Sequence, residues 1–536
     1  MGLRSYLTAN DEREFMKKLI LLTLFALASA VMAAERPNIV LIMCDDMGFS
    51  DLGSYGGEID TPNIDALAEE GVRFTQFKNT SRCCPSRAAL MTGRSQHSVG
   101  MGWMAAVDEH RPGYRGQLSP DFPTIAEVLK DNGYGTYMSG KWHLTVDGNV
   151  SQPNAGPNGS WPVDRGFDQS YGGLVGGGSY YKVKGLVRNS ERITNFPEDY
   201  YYTDAITQNA VQYIEGHDSA KPLFLYLAHY APHRPLHAPQ DRIDQCIERY
   251  QAGYDVLRQA RFERLAELGI LEPDSDLSMP VKGFPKWDSL DADLQQKWIK
   301  EMATYAAMIE IMDDGIGEVV DALKRKGMYE NTVLFFLSDN GATMEGGKIS
   351  WLGAHLSNTP YRGFKSKTFN GGISSPLIVH FPERFAAYHG DVRKNRAHII
   401  DLLPTCLDIA GVDYPDSFNQ AAITAPDGVS LLPAITGEAM PARDLFFEHQ
   451  GSCSIISGSW KLVRGSQKEP WTLIDLESDP FEQADVARSY PELVQRLEAK
   501  WLQWASESSA LPLETTDWTQ RVKKYKKQFP DQDGID

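Results

Sequence analysis

Four predicted strands, each followed at once by polar side chains, constrain the fold of this chain more than any other feature. The strands cover 38–44, 135–139, 222–228 and 332–337. The polar groups after them are Asp45-Asp46, Lys141-Trp142-His143, the histidines His229, His233 and His237, and Asp339-Asn340. Continuous apolar runs indicate strands buried on both faces, and the carboxyl ends of such parallel strands share one crevice. The sequence therefore predicts an α/β fold, with a mainly parallel central sheet sandwiched by helices and a polar site at one edge.

Amphipathic segments between these strands predict the helices that cover the sheet. They are 61–71, 121–132, 298–326 and 398–410. In the longest of them, Met308, Met312 and Ile316 follow one another at helical spacing, which indicates packing in the core. The glycine- and asparagine-rich segment 146–178 predicts a loop at a binding surface, and 240–290 predicts a helical insertion.

The character of the sequence changes after Gly411, where a proline-rich linker begins. Alternating residues at 460–463 and 471–474 suit an antiparallel hairpin, and 492–504 suits an amphipathic helix. We therefore divide the 536 residues into a leader and signal peptide (1–34), a large domain that carries the site (35–420), and a smaller C-terminal α+β domain (421–536). We interpret 517–536 as a polar tail.

The N-terminal segment has the pattern of a secretory signal. A basic start at 16–18 precedes the apolar run 19–28, and 31–33 supplies small residues at the cleavage positions. We expect Met16 to be the initiator rather than Met1, with a genuine longer leader as the alternative. The apolar run is short for a bilayer and is not repeated later, so we expect a periplasmic or secreted protein with no stable membrane insertion.

Acidic residues outnumber basic ones in this chain. Lys and Arg total 53 against 71 Asp and Glu, which gives a formal net charge of −18. A nucleic-acid partner is therefore not expected, because such partners are bound by basic surfaces.

Cys83 lies where a helix is predicted to begin. Pro85 is favoured in the first helical turn, the residues after it are good helix formers, and Gly93 is a stop signal. The free N–H groups at the helix end, together with Arg87, would lower the pKa of the Cys83 thiol and hold an oxyanionic substrate. The alternative is a pair of buried thiols or a strained disulfide between Cys83 and Cys84. Because the six cysteines are irregularly spaced, we expect no essential disulfide framework.

The strand ends predict a metal site and an anion site side by side. Oxygen ligands alone are offered by Asp45, Asp46, Asp339 and Asn340. Such ligands favour Ca²⁺ over Mg²⁺, because several protein oxygens can surround the larger ion in irregular geometry, whereas zinc prefers imidazole or thiolate. The cationic candidates nearby are Arg87, Lys141, His143, His233 and Lys365. Together these groups would bind a tetrahedral oxyanion, so the chemistry indicated is transfer of a phosphoryl or sulfuryl group to a nucleophile.

The segment around Cys83 also carries a longer pattern. It reads Cys83-Cys84-Pro85-Ser86-Arg87, followed by Leu90 and Thr92-Gly93-Arg94. This pattern resembles the modification signature of the type I, formylglycine-dependent sulfatases of the alkaline phosphatase superfamily. The segments 45–46, 140–144, 231–233 and 338–341 also follow that family's order, so the resemblance spans 36–410. The order and the insertion around 253–271 are most like those of bacterial periplasmic arylsulfatases.

The resemblance implies an alkaline phosphatase-like fold, with a catalytic sulfatase domain over 35–420. It implies that a maturation enzyme oxidises Cys83 to formylglycine, whose hydrate attacks the sulfur of a sulfate ester. The residues implied to bind one Ca²⁺ together with the modified Cys83 are Asp45, Asp46, Asp339 and Asn340. Arg87 is implied to hold the diol, and Lys141 and Lys365 are implied to bind sulfate. His143 is implied to assist elimination of sulfate, and His233 to protonate the leaving oxygen.

Near Lys365 the chain departs from the family pattern. Asn370 stands where the family frequently has Glu, and Lys367 offers a second ammonium group. The assignment of the sulfate-binding lysine therefore rests on the spacing from Lys365 to Gly371-Gly372.

The leading interpretation is a sulfatase that hydrolyses an aryl sulfate or a sulfated carbohydrate. A phosphonate monoester or phosphodiester hydrolase of the same superfamily is the second interpretation, because such enzymes can share the Cys-x-Pro-Ser-Arg machinery. A non-catalytic, calcium-dependent glycan-binding protein is the third. The aromatic candidates for a sugar-sized pocket are Trp103, Trp142, Tyr180, Tyr181 and Trp351.

Overall fold

A ten-stranded sheet forms the centre of the described protein. The computed structural model describes residues 36–150, 155–272, 275–277 and 284–530, so the predicted leader and signal peptide lie outside the described residues. The strands are β1 (Asn38–Cys44), β2 (Val72–Lys78), β3 (Gly135–Gly140), β4 (Gln169–Gly173), β5 (Leu186–Arg188), β6 (Glu191–Arg192), β7 (Leu223–Ala228), β8 (Thr332–Ser338), β9 (Leu377–His380) and β10 (Val392–His398). Their order across the sheet is β10-β2-β9-β8-β1-β7-β3-β4-β5-β6.

The middle of this sheet is parallel. Strand β1 pairs in parallel with β7 and β8, and β3 pairs in parallel with β7 and β4. Strand β9 runs antiparallel to β8 and β2, and the edge made by β4, β5 and β6 is antiparallel. The four strands predicted from the sequence are β1, β3, β7 and β8, which are neighbours in the sheet and buried along their whole length. Burial on both faces explains why their sequences read as continuous apolar runs.

Helices cover both faces of the sheet. They are α1 (Pro62–Glu69), α2 (Cys83–Thr92), α3 (Ile125–Asp131), α4 (Asp147–Val150), α5 (Tyr202–Gly216), α6 (Gln240–Cys246), α7 (Tyr254–Glu267), α8 (Ala292–Arg325), α9 (Lys348–Ser357), α10 (Asn370–Ile373), α11 (Leu402–Ala410), α12 (Leu432–Ile435), α13 (Pro491–Glu507) and α14 (Trp518–Gln528). On β1, Val40 and Ile42 pack into the core shared with α5 and α8, whereas Leu41 packs into the core shared with α2 and α11. Within the described ranges, none of these helices combines the length and apolar character needed to cross a membrane.

A smaller antiparallel sheet forms the C-terminal domain. A short ladder of β11 (Ser417–Phe418) and β12 (Ala421–Ala422) precedes it. The sheet itself consists of β13 (Leu445–His449), β14 (Ser452–Ser457), β15 (Trp460–Arg464) and β16 (Thr472–Asp475), and α13 packs on it. The predicted hairpin corresponds to β15 and β16. The predicted fold class, a mainly parallel α/β sheet with a smaller C-terminal α+β domain, is confirmed.

Several strands have no clear signal in the sequence. Strand β10 lies at the sheet edge and is largely polar, so it lacks the apolar run of a central strand. Strand β4 lies within the segment 146–178 that is predicted as loop, because it is short and ends in two glycines. Strands β13 and β14 extend the predicted hairpin into a four-stranded sheet.

Most of the predicted polar tail forms a helix, α14. In α14, Lys524 Nζ lies 2.8 Å from Glu109 Oε1 and 3.1 Å from Glu514 Oε2. Tyr525 is 1% exposed, and with Phe529 it joins the core that contains α2. This helix therefore packs against the large domain, although it follows the C-terminal domain in sequence; residues 531–536 lie outside the described residues.

Candidate active site

The carboxyl edge of the central strands gathers the predicted site residues. Asp45 and Asp46 follow β1, Lys141 and His143 follow β3, His233 follows β7, and Asp339 and Asn340 follow β8. Cys83 and Arg87 lie on α2, and Lys365 lies between α9 and α10. The parallel register produces this gathering, because the last residue of β1 lies beside the last residue of β8.

Cys83 is the first residue of α2 and is 1% exposed. Its Sγ lies 3.6 Å from His143 Nδ1. A hydrogen bond with Cys84 lowers the pKa of Cys83 well below its usual range against the effect of burial, and Lys141 and Lys365 add to the lowering. The structure thus stabilises an anion at residue 83. The sequence analysis had named the helix end and Arg87 as the stabilising groups, and the structure adds Cys84, Lys141 and Lys365.

The neighbouring thiol has a different environment. Cys84 is fully buried in the core, and its Sγ lies 3.5 Å from the carbonyl oxygen of Trp103. Burial raises the pKa of Cys84 well above its usual range. All six cysteines are free thiols, so no disulfide joins Cys83 to Cys84.

Arg87 joins two carboxylates that come from different strands. Its Nε and Nη2 lie 3.1 and 2.8 Å from Asp339 Oδ2, and its Nη2 lies 3.4 Å from Asp45 Oδ2. Burial opposes ionisation of Asp45, yet Lys141, His233 and Arg87 lower the pKa of Asp45 to about 2. Burial and the charge of Asp45 raise the pKa of Asp339 well above its usual range. Carboxylates packed this closely favour a bound cation.

The oxygens at this edge fit a hard metal ion. Asp45 Oδ1, Asp46 Oδ2 and Asn340 Oδ1 are buried and make no hydrogen bond within the described protein. Asn340 Nδ2 donates to Asp46 Oδ1 at 2.7 Å, which commits the amide nitrogen and leaves the amide oxygen available. Buried oxygens without a partner are costly, and a ring of carboxylate and amide oxygens is what Ca²⁺ prefers. The residues present, with Asp339 beside them, therefore fit a calcium ion.

Two of these carboxylates, Asp45 and Asp46, each pair with a lysine. Lys141 Nζ lies 2.5 Å from Asp45 Oδ2, and Lys365 Nζ lies 2.6 Å from Asp46 Oδ1. Against the effect of burial, Asp46 raises the pKa of Lys365, so this group stays charged. Lys367 instead donates to a backbone carbonyl of the C-terminal domain at 2.9 Å. Lys365, and not Lys367, therefore belongs to the site.

Gly176 leaves the space that the ring of His143 occupies. A Cβ atom placed on Gly176 would lie 2.4 Å from ring atoms Cε1 and Nε2 of His143, which is closer than any ordinary contact. Only glycine at this position lets the ring lie with Nδ1 facing Cys83. Burial lowers the pKa of His143, although the nearby Cys83 opposes this, so the neutral ring is favoured.

The ring of His233 is held in place by hydrogen bonds at Nδ1. Its Nδ1 lies 2.5 Å from the carbonyl oxygen of Arg234 and 3.2 Å from Tyr230 Oη, and its ring stacks on Tyr230 with 5.1 Å between centroids. The Nε2 atom is 3.7 Å from Asp46 Oδ2. Burial lowers the pKa of His233 and Asp45 opposes this. The nitrogen available for proton transfer is therefore Nε2.

The C-terminal domain supports the loop that carries Lys365. The main-chain nitrogen of Asn370 donates to Glu482 Oε2 at 2.6 Å, and Lys461 Nζ lies 2.7 Å from Glu482 Oε1 and 3.0 Å from Asn370 Oδ1. All of these side chains are buried. Glu482 thus places a carboxylate beside the position where the family pattern frequently has Glu. No sequence motif marks it, because its partner is more than 100 positions away.

The helical insertion braces the loop after β1. Asp51 Oδ2 accepts hydrogen bonds from Gly48 N at 2.8 Å and from Tyr305 Oη at 2.7 Å, and its Oδ1 accepts from Arg261 Nη1 at 2.7 Å. Arg261, on α7, also forms a two-bond pair with Glu58, at 2.7 Å for each bond. The insertion therefore fixes the main chain that presents Asp45 and Asp46.

A cavity of about 810 Å³ opens above Cys83, His143 and His233. Its walls include Gly176–Gly178, Arg82, Glu345, Arg521 and Tyr525, of which the last two come from α14. None of the five aromatic candidates from the sequence lines it. Trp142 and Tyr180 are fully buried, and Tyr181, although 39% exposed, packs on His237, with 5.7 Å between ring centroids. These aromatic side chains serve packing. In the wall, Gly176–Gly178 belong to the segment 146–178 that the sequence predicts as a loop at a binding surface, whereas no sequence pattern singled out Arg82, Glu345, Arg521 or Tyr525.

Comparison with known proteins agrees with this architecture. The Sulfatase family matches residues 37–412. An arylsulfatase of Klebsiella aerogenes is 34% identical over 438 residues, which covers 74% of this chain and 91% of the relative. An uncharacterized sulfatase of Schizosaccharomyces pombe is 29% identical over 541 residues, covering 89% of this chain and 95% of the relative.

A solved structure is similar over nearly the whole chain. Ps i-CgsB in complex with k-i-k-neocarrahexaose has a TM-score of 0.67 at 26% identity, covering 93% of this chain and 98% of that one. The family match spans the sheet, Cys83 and the strand-end residues described above. This chain belongs to the sulfatase family.

Proposed function

We propose that this sulfatase hydrolyses sulfate monoesters through a formylglycine formed from Cys83 by a maturation enzyme, with one Ca²⁺ held by Asp45, Asp46, Asp339 and Asn340. The observation that carries the proposal is the setting of Cys83. It lies at the floor of the cavity, at the start of α2, with Sγ 3.6 Å from His143 Nδ1. Lys141 and Lys365 favour negative charge there.

Once formed at residue 83, a formylglycine hydrate would supply one hydroxyl to attack sulfur and a second to help release sulfate. A bound Ca²⁺ would supply positive charge beside it. Lys141 and Lys365, whose ammonium groups already lie on Asp45 and Asp46, bind further sulfate oxygens from the protein side. Arg87 lies about one turn after residue 83 on α2, with its guanidinium fixed on Asp339, and would hold the diol from there.

The two histidines move protons at opposite sides of the sulfate. His233 gives a proton from Nε2 to the leaving oxygen, while the carbonyl of Arg234 keeps Nδ1 occupied. His143 faces residue 83 through Nδ1 and accepts a proton from it. His143 is 2% exposed and the side chain of His233 is 14% exposed, which limits the access of bulk water to these transfers.

The proposed leaving alcohol is an aryl or sugar hydroxyl. The complex of Ps i-CgsB with k-i-k-neocarrahexaose supports a saccharide, and the 810 Å³ cavity has room for one. We further propose that the enzyme acts in the periplasm or outside the cell, because the segment 16–33 has the pattern of a secretory signal.

Mass spectrometry of the tryptic peptide 83–87, coupled to sulfate release, tests the proposal. In active enzyme we expect the residue-83 side chain to have lost sulfur and gained an aldehyde oxygen. Cys83→Ala should abolish sulfate release, whereas the matched variant Cys84→Ser should keep both the aldehyde and the activity. An intact Cys83 thiol in fully active enzyme would refute the formylglycine mechanism.

Matched esters separate the remaining interpretations. We expect 4-nitrophenyl sulfate to be cleaved faster than a 4-nitrophenyl phosphodiester or phosphonate. The opposite order would support the phosphonate monoester or phosphodiester hydrolase. An unmodified chain that binds sulfated glycans in the presence of Ca²⁺ but releases no sulfate would support the glycan-binding interpretation.

A further inference from the structure

We propose that the thiol form of this protein, in which Cys83 has not been converted, binds one Cu⁺ ion through the thiolates of Cys83 and Cys84 and the imidazole of His143. These ligands are sulfur and nitrogen atoms, whereas the proposed calcium site offers carboxylate and amide oxygens. The inference goes beyond the proposed function, because it concerns a form of the chain that the sulfatase reaction does not use.

The first observation is that the three ligand atoms already lie together. Cys83 Sγ, Cys84 Sγ and a ring nitrogen of His143 are all within 4.8 Å of one another. Cys83 Sγ lies 3.6 Å from His143 Nδ1. Metal–sulfur and metal–nitrogen bonds of about 2.3 and 2.0 Å, as zinc makes them, would separate these two atoms by about 3.5 to 3.8 Å at tetrahedral or trigonal angles. One ion can therefore bind both side chains where they already lie.

The second observation is that the fold fixes each ligand in place. Cys83 and Cys84 are the first two residues of α2, and the ring of His143 packs against Gly176. Cys83 is 1% exposed, Cys84 is fully buried and His143 is 2% exposed. Ligands that are ordered before binding lose little conformational freedom when the ion arrives, which favours tight binding.

The third observation is the softness and number of the ligands. Thiolates select soft cations such as Cu⁺ and Zn²⁺ over Ca²⁺ and Mg²⁺. A structural Zn²⁺ usually takes four protein ligands in a tetrahedron. The group found among the described residues has three, namely Cys83, Cys84 and His143. This number favours Cu⁺, which needs fewer ligands than zinc.

The fourth observation is the charge of the surroundings. Two thiolates and one Cu⁺ leave one negative charge, whereas two thiolates and one Zn²⁺ leave none. The free N–H groups at the start of α2 favour negative charge at Cys83, and so do Lys141 and Lys365. A Ca²⁺ ion bound at the neighbouring strand ends would also repel a second divalent ion more than a monovalent one. The setting therefore favours the monovalent ion.

The cavity gives an ion access to the three ligands. Cys83 and His143 line this cavity, and Cys84 lies behind them with its Sγ 3.5 Å from the carbonyl oxygen of Trp103. On binding, each thiol releases its proton to solvent, and an electron pair of each sulfur and of His143 Nδ1 forms a bond to copper. The ion keeps its oxidation state, so no oxidant or reductant is required.

A titration with Cu⁺ tests the proposal. The chain would be produced without a maturation enzyme, its Cys83 thiol checked by mass spectrometry, and Cu⁺ added without oxygen in competition with the chelator bicinchoninate. We expect one tightly bound Cu⁺ per chain, and X-ray absorption should show two sulfur neighbours and one nitrogen neighbour. Cys84→Ser and His143→Ala should each weaken binding at least about 100-fold, because loss of a group that merely supports a metal ligand already costs about 10- to 100-fold.

Two controls separate this site from binding by any buried thiol. Cys406→Ser changes a fully buried thiol on α11 and should leave the affinity unchanged. The formylglycine form lacks the sulfur at residue 83 and should bind at least about 100-fold more weakly without any substitution, so this arm does not depend on the folding of a variant. Equal affinity in Cys84→Ser and wild type would mean an adventitious ion only and would overturn the proposal, as would tighter binding of Zn²⁺ than of Cu⁺.

The copper site and the proposed function can fail separately. If Cu⁺ binds through Cys83 and Cys84 while the maturation enzyme leaves Cys83 unchanged and the wild type cleaves no sulfate ester, the proposed function fails and the copper site stands. If the converted chain cleaves sulfate esters but the thiol form binds no Cu⁺, the copper site fails and the proposed function stands.

Discussion

Gly176→Ala is expected to disable the enzyme by moving one ring. The new Cβ would lie 2.4 Å from two ring atoms of His143, whereas an ordinary contact begins near 3.4 Å, so the ring has to retreat by about 1 Å. A displacement of about 1 Å of a catalytic group can cost about 100-fold in rate, or about 2.7 kcal/mol of transition-state stabilisation. We therefore expect kcat for sulfate release to fall about 100-fold while the fold is retained.

The adjacent glycine gives a matched control. A Cβ on Gly177 would lie 3.6 Å from Tyr230 Oη and 3.9 Å from His233 Cε1, which are ordinary contacts. Steady-state sulfate release and thermal melting should be measured for Gly176→Ala, Gly177→Ala and wild type. In a His143→Ala background, Gly176→Ala should have little further effect, because both changes act through one ring. A Gly176→Ala enzyme within about threefold of wild type would refute the reasoning, and so would an equal loss in Gly177→Ala.

Three further predictions concern metal binding and stability. Adding Ca²⁺ to chelator-treated protein should raise its melting temperature. At a Ca²⁺ concentration of 100 times Kd, the free energy of unfolding should increase by about 2.7 kcal/mol. An equal increase with Mg²⁺ would contradict a calcium site. Arg261→Met leaves Glu58 without its buried partner and should lower the free energy of unfolding by about 3 to 5 kcal/mol in urea titration, whereas the half-exposed Arg264→Met should cost about 1 kcal/mol or less; equal losses would contradict this. Burial lowers the pKa of His229 to about 3. Below a pH of about 6.5 the unfolded chain therefore binds a proton at His229 that the folded chain does not bind. The free energy of unfolding should then fall by about 1.4 kcal/mol for each unit that the pH is lowered. His229→Leu should reduce that slope between pH 7 and pH 5, and parallel curves for the two proteins would contradict the assignment.

The polar side chains at the carboxyl edge of the central strands could be predicted from the sequence, because each of them follows a local signal. An apolar run ends at Asp45, another ends at Asp339, and Cys83 opens a recognisable helix. Parallel pairing then brings these ends together without further information, since strand ends of a parallel sheet share one edge. The same logic predicts β1, β3, β7 and β8 but not the polar edge strand β10.

Most of the cavity wall could not be predicted, because only Gly176–Gly178, in the glycine-rich segment 146–178, carry a local signal. Arg521 lies on a polar helix with no motif, and its place in the cavity depends on the docking of α14 through contacts such as that of Lys524 with Glu109. Glu482 reaches Asn370 from another domain. The aromatic candidates fail for the opposite reason, since a large ring such as Trp142 gains most by being buried in the core.

The packing of α14 on the large domain brings together two parts of the chain that are distant in sequence. The strand-end residues of the candidate site come from 45–365, whereas Arg521 and Tyr525 reach the cavity wall from a helix that begins at Trp518. Substitutions in α14 would therefore change this wall without altering the central strands. The shape of the cavity and the polar edge of the central sheet are thus set by separate parts of the sequence.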